Sequence, residues 1–237
     1  MADFDLVIRG GTVVTASDTS VCDVGVKDGV IVALGRSLAK GAKEIDATGK
    51  LVLPGGIDSH VHVDQLSSSG AYTADTFLSG TRSAMCGGTT GIIPFAAQFK
   101  GQSLRKTVED YHAKADGQAM TDYAFHLIIS DPTESVIGQE LPALIKDGYT
   151  SFKIYLTYDA LKLNDRQFLE VLAAARREGA MVMVHAENHD MIAWLSEKLL
   201  EFGHTAPKFH RVAHANIAEG EATTAPSPWR SWWTSRS

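Results

Sequence analysis

Four side chains combine type and spacing in ways that could do chemistry. His60 and His62 flank Val61 in Ile57-Asp-Ser-His-Val-His-Val63, an apolar run set off by Pro54-Gly-Gly56. On a strand, side chains two residues apart point the same way, so both imidazoles could reach one metal ion. Neutral imidazole is a common zinc ligand. A bare His-x-His also fits a half-exposed strand. The flanking Val and Ile, however, predict a strand covered on both faces, where unpaired imidazoles would be costly. Lys153 lies in Phe152-Lys-Ile-Tyr155, inside an otherwise apolar run. Burial there lowers an ammonium's pKa toward a neutral, nucleophilic amine; the alternative is a rim lysine whose stem snorkels to water. His185 ends Met181-Val-Met-Val-His185. It is either a functional residue at the C-terminal end of a strand or a cap of the following helix, the role that suits His189.

These runs need a scaffold to hold them. Residues 4–50 read as short strands and tight turns: strands at 4–9 and 12–15 around a Gly10-Gly11 turn, then 24–27, the hairpin dipeptide Asp28-Gly29, 30–34, and a strand and turn over 44–50. They predict a small antiparallel sheet with no catalytic cluster of its own. From residue 51 strands alternate with helices, the pattern of βα units on a parallel sheet. Strands are expected at 57–63, 89–95, 123–129, 150–157 and 180–186, and helices at 73–86, 103–115, 135–147, 164–178 and 190–202. Ser103 and either Asn164 or Asp165 are the expected helix caps.

Composition narrows the class. The net charge is −6, without a Lys/Arg cluster, so neither nucleic acid nor an anionic membrane is an expected partner. Cys22 and Cys86 have no metal-type spacing and fit reduced thiols. The N-terminal Met1-Ala-Asp-Phe-Asp5 lacks the basic and apolar segments of a signal peptide, and no apolar run is long enough to span a bilayer. A soluble, cytoplasmic protein is expected.

Pro54-Gly-Gly-Ile-Asp-Ser-His-Val-His62 resembles the first barrel strand of the cyclic amidohydrolases: dihydropyrimidinases, hydantoinases, allantoinases and dihydroorotases. Phe152-Lys-Ile-Tyr-Leu-Thr-Tyr158 is similar to the carboxylated-lysine strand of the dihydropyrimidinases and D-hydantoinases. The resemblance implies an α/β fold. Residues 1–50 would be the N-terminal part of a β-sandwich, and 51–223 the first part, about five strands, of a (β/α)8 barrel of the TIM type. It also implies two divalent metal ions, zinc being the expected metal. His60, His62, Lys153 (as a carboxylysine formed with carbon dioxide) and His185 would hold them. Tyr158 would donate a hydrogen bond to the oxyanion of the scissile amide. Asp58 could orient a ligand or cap a turn. His112, His126, His204, His210 and His214 match no ligand position.

The implied reaction opens a hydantoin or dihydropyrimidine ring to an N-carbamoyl amino acid through a metal-bridged hydroxide. The partner would be a small cyclic ureide or imide, and family members tend to be homo-oligomers. Allantoinase, dihydroorotase and cyclic imidase activities are the enzyme alternatives. An inactive fragment acting only through oligomer contacts is the other. The family draws one more histidine from a sixth strand and its proton-transferring aspartate from an eighth. A whole barrel takes about 250 residues, so that aspartate is expected to be missing and the activity reduced. Residues 224–237 hold three of the four tryptophans and do not resemble the family. They are expected to be either a disordered tail or the product of a frameshift, because a neighbouring frame written with GC-rich codons continues a helix.

Overall fold

In a computed structural model, residues 3–67 and 70–224 are described; the expected tail, apart from Thr224, lies outside them. The chain divides into two compact units, Met1–Gly56 and Ile57–Ser237.

In the first unit, β1 (Phe4–Val14), β2 (Thr19–Lys27), β3 (Val30–Gly35), β4 (Gly41–Asp46) and β5 (Leu51–Val52) share one sheet in the order β3-β2-β1-β4, with β5 also on β1. Strands β1, β2 and β3 are antiparallel neighbours, whereas β4 and β5 run parallel to β1. The sheet is therefore mixed, not antiparallel as expected. Nor is Gly10-Gly11 a turn: β1 runs through it, with a register shift against β2 between Ile8 and Gly11. Gly10 takes φ +63°, the left-handed geometry of a bulge. A tertiary contact holds it there. Asp23, 7% exposed, accepts the Gly10 N–H at 2.9 Å, Arg9 Nη1 at 2.9 Å and the Leu38 N–H at 3.1 Å. Val7, Val13, Val24 and Ala47 are buried around this strand. Asp28 and Gly29 both have positive φ, as a tight hairpin requires.

The second unit alternates strands and helices. It runs β6 (Gly56–Val61), α1 (Phe77–Cys86), β7 (Thr89–Ala97), α2 (Leu104–Ala115), β8 (Asp122–Tyr123), β9 (His126–Ile128), α3 (Leu141–Lys146) and β10 (Ser151–Tyr155). Then come α4 (Asp165–Glu178), β11 (Met181–His185), α5 (His189–Glu201), α6 (His210–Ala213) and α7 (Asn216–Thr224). The sheet order is β11-β10-β9-β7-β6, with β8 on β7 and parallel pairing at β7–β8, β7–β9, β9–β10 and β10–β11. This is a partial TIM-type barrel of five strand positions in an α/β chain that also carries a small β unit. The third expected strand is split into β8 and β9, both lying along β7.

Side-chain alternation sorts two apolar layers. Phe152 and Ile154 join Leu127, Phe168 and Val171 in the large core on the helix side of the sheet. Phe95, Ala97, Ile128 and Tyr155 form a smaller cluster on the other face, with Leu161 and Met183 against it. Ser103 caps α2. Asn164 caps α4: its Oδ1 accepts the Gln167 N–H at 2.9 Å while Gln167 Oε1 accepts the Asn164 N–H at 3.1 Å. Helix α1 starts only after its Thr76 cap, later than expected. The expected 135–147 helix opens with a π-helical turn, Val136–Glu140, in which the Leu141 N–H reaches the Val136 carbonyl. Pro142, in the first turn of α3, has no N–H to continue the tighter ladder.

One expectation about the site is overturned. Strand β6 is not covered on both faces; residues 56–60 are all exposed, Ile57 at 70%. It lies at the end of the sheet order, so a neighbouring strand flanks it on one side only. It also ends at Val61, which places His62 just beyond the strand.

Candidate functional site

Phe95, 1% exposed on β7, is the platform on which the first histidines rest. The His60 ring meets it edge-on at 4.7 Å between centroids, and His62 stacks on it at 4.8 Å. The two imidazoles are 5.8 Å apart. Lys153, 7% exposed on β10, approaches from the same face, with Nζ 5.9 Å from the Phe95 centroid and 5.4 Å from that of Tyr155. Among the described residues no carboxylate or hydrogen-bond acceptor reaches that nitrogen. Desolvation holds the Lys153 pKa below its ordinary value. His60 is also held low, by burial first and then by the charges of Lys153 and His62, against a smaller opposing effect from Asp58. Both groups are thus biased toward their neutral, electron-donating forms.

His185 reaches this face through Tyr155. The parallel register sets Tyr155 opposite His185, and their rings stack at 5.6 Å. Tyr158 lies 5.2 Å from the His185 ring and adopts φ +69°. A tyrosine in the left-handed region costs about 1–3 kcal/mol and persists only where its surroundings over-determine it. Burial, and then Glu187, push the Tyr158 hydroxyl above its usual pKa, so it stays a proton donor at neutral pH. A cavity of about 450 Å³ is lined by Thr157, Tyr158, His189 and His214 among others.

Two residues absent from the sequence-based set complete the surroundings of His185. Glu187 Oε2 accepts from His185 Nε2 at 2.7 Å, and its Oε1 accepts from His214 Nδ1 at 2.9 Å. Burial would raise the Glu187 pKa, but the bonds from His214 and His185 outweigh it and hold the carboxyl below its usual range. His214 lies 27 residues from Glu187, so no local spacing announces the pair.

The other candidates resolve into structural roles. Asp58 Oδ1 accepts the His60 N–H at 3.0 Å, two residues further along β6. Asn188, not His189, caps α5; His189 Nε2 lies 3.2 Å from Asp159. His126 is buried between Ser151 Oγ at 2.5 Å and the Ser59 carbonyl at 3.0 Å. His112 bonds the Tyr149 hydroxyl at 2.7 Å. No trio of His, Cys, Asp and Glu is within joint reach of a metal ion among the described residues. What converges is an imidazole pair and a desolvated amine, with a third imidazole one ring contact further on. That donor set fits a divalent metal in chemistry, since it offers imidazole nitrogens and an amine with no hydrogen-bond partner among the described residues.

The sequence model of the amidohydrolase family matches residues 51–218. A D-hydantoinase of Geobacillus stearothermophilus is 47% identical over 220 residues, covering 92% of this chain and 46% of the relative. A dihydropyrimidinase of Rattus norvegicus is 40% identical over 226 residues, with 92% and 43% covered. Among solved structures, a D-hydantoinase superposes with a TM-score of 0.89 at 42% identity, covering 93% of this chain and 48% of that one. The chain spans about half the length of the curated relatives it matches. The chain belongs to the amidohydrolase family.

Proposed function

We propose that this chain carries the metal-binding part of a cyclic amide hydrolase of the hydantoinase and dihydropyrimidinase type. The observation that carries the reading is Lys153: a desolvated amine with no hydrogen-bond partner among the described residues, near enough to His60 to bias its charge, on the sheet face that also presents Tyr155 and His185. In its neutral form Nζ would add to the carbon of carbon dioxide: one N–C bond would form as one C=O π pair moves onto oxygen, and the nitrogen's extra proton would pass to solvent. The resulting carbamate offers two oxygens where the amine offered one nitrogen. His60, His62, carboxylated Lys153 and His185 would then hold two divalent ions, zinc being the expected metal. When bound, such a pair polarises an amide carbonyl and makes a water acidic enough to ionise near neutral pH.

The remaining work falls to the chain's own groups. Tyr158 keeps its proton and donates it in a hydrogen bond to the carbonyl oxygen as negative charge develops there. Phe95 and Tyr155 form the floor of the site and hold the imidazole planes by ring contact. A carboxylate must carry the proton to the leaving nitrogen. By resemblance it comes from an eighth barrel strand, outside the five strand positions described. A cyclic ureide or imide is the proposed substrate, and a homo-oligomer the proposed assembly. No helix among the described residues is long and apolar enough to cross a membrane.

The test pairs metal content by mass spectrometry with carbon-13 NMR of the chain in labelled bicarbonate. A carbamate signal lost in Lys153→Ala, with zinc retention lowered by His60→Ala, is the expected result. A wild-type chain with no carbamate and no zinc would refute it. Turnover of hydantoin and dihydrouracil against dihydroorotate and allantoin, in the metal-loaded chain, separates the enzyme alternatives.

A further inference from the structure

The reaction proposed above makes no use of Glu187 or His214. Glu187 stands at the corner between β11 and α5, where one local contact to His185 is joined by three that reach across to His214, at the end of α6, and to α7. His185 Nε2 and His214 Nδ1 meet the two Glu187 oxygens, one each, at 2.7 and 2.9 Å. Next along the chain, the Asn188 N–H donates to the Ala218 carbonyl at 3.0 Å and its side-chain amide to Glu221 at 2.7 Å. His214 is itself fixed, with its N–H on the His210 carbonyl at 2.9 Å and its ring 4.1 Å from the His210 ring.

We propose that Glu187, braced by His214, is a positioning residue that locks His185 as its Nε2–H tautomer and leaves Nδ1 as the nitrogen free to ligate. An ionised carboxylate only accepts hydrogen bonds, so each ring nitrogen facing it must carry the proton. A neutral imidazole has one such proton; with Nε2 protonated, Nδ1 is bare. Metal-binding histidines commonly give their second nitrogen to a carboxylate, which fixes the ring's plane and raises its basicity. Here the carboxylate is two residues from its histidine, and a histidine from a later helix pair keeps it from rotating away. The inference rests on the reading of His185 as a ligand, but its first test does not.

That test is two-bond proton–nitrogen correlation NMR on the metal-free, nitrogen-15 histidine-labelled chain. The wild type is expected to show His185 as the Nε2–H tautomer, and Glu187→Ala to shift it toward a mixture. Zinc affinity by competition with a chromophoric chelator should fall about tenfold to a hundredfold in Glu187→Ala, and less in His214→Ala. Glu187→Gln offers one acceptor oxygen to two ring N–H groups, so the tautomer preference and the affinity should both fall, by less than in the alanine variant. It also serves if the alanine variant fails to fold. An Nδ1–H tautomer in the wild type overturns the proposal, as does a Glu187→Ala chain matching the wild type in spectrum and affinity. If His185→Ala binds zinc as the wild type does, the ligand reading fails, and the tautomer alone judges the positioning role.

Discussion

Gln98 sits one residue past β7 and is 1% exposed, yet every polar atom of its side chain is engaged. Its Oε1 accepts the N–H groups of Ser130 and Asp131, both at 3.1 Å, and its Nε2 donates to the Gln102 carbonyl at 2.8 Å. The Gln98 carbonyl also accepts the Ser130 hydroxyl at 2.6 Å. This side chain therefore ties the C-terminal end of β7, which carries Phe95, to the segment leaving β9. Replacing it with Ala keeps the backbone bond but removes the acceptor for two N–H groups. Ser130 is 2% exposed, so water reaches its N–H poorly. Leaving a buried donor unpaired costs about 1–3 kcal/mol, and the Asp131 and Gln102 groups add a smaller sum because they are partly solvated; together about 2–4 kcal/mol. Gln98→Leu, of similar size, should lose nearly as much, because the deficit is polar and not one of volume. Urea unfolding should show the lowered midpoint, and hydrogen exchange should accelerate in a peptide spanning 126–136. If both variants leave the midpoint and that exchange unchanged, the clamp contributes nothing, and the reasoning from buried donors fails.

Three further outcomes follow from other parts of the chain. The Gly10 N–H first, and then Arg9, depress the Asp23 pKa. Its contribution to stability is therefore present above the unfolded carboxyl value of about 3.9 and is lost as pH falls through the lower folded value. Acid unfolding of the first unit, followed by circular dichroism, should begin below about pH 4 and flatten in Asp23→Asn; an unchanged profile in the variant would remove Asp23 from the account. Asn164→Ala should cost about 1 kcal/mol through loss of the α4 capping box, with Asn164→Asp nearly neutral, both measured by urea midpoint. Phe95→Ala should cost about 3–5 kcal/mol as a buried aromatic and should also weaken zinc retention by freeing the His60 and His62 rings. Destabilisation with normal zinc retention would mean Phe95 packs without orienting.

Much of this protein was readable before its structure because the controlling interactions are local. The spacing of His60 and His62, the apolar alternation around Lys153, the Asn164 cap with Gln167 three residues on, and the Asp28-Gly29 hairpin all depend on neighbours within a few residues. The alternation of strands and helices after residue 51 likewise predicts the parallel sheet that forms. What tertiary structure decided involves partners far apart in the chain. Gly10-Gly11 looks like a turn until Asp23 supplies the acceptor that keeps β1 continuous through a bulge. The parallel places of β4 and β5 beside β1 cannot be told from an antiparallel meander by residue type, because strand-forming residues are the same whichever way the strand runs. The exposure of β6 follows from its place at the end of the sheet, which the valines and isoleucines around His60 do not encode. Glu187 and His214 become a pair only when α6 and α7 return to the end of β11, since a hydrogen bond is specified by position in space and a sequence records only order along the chain.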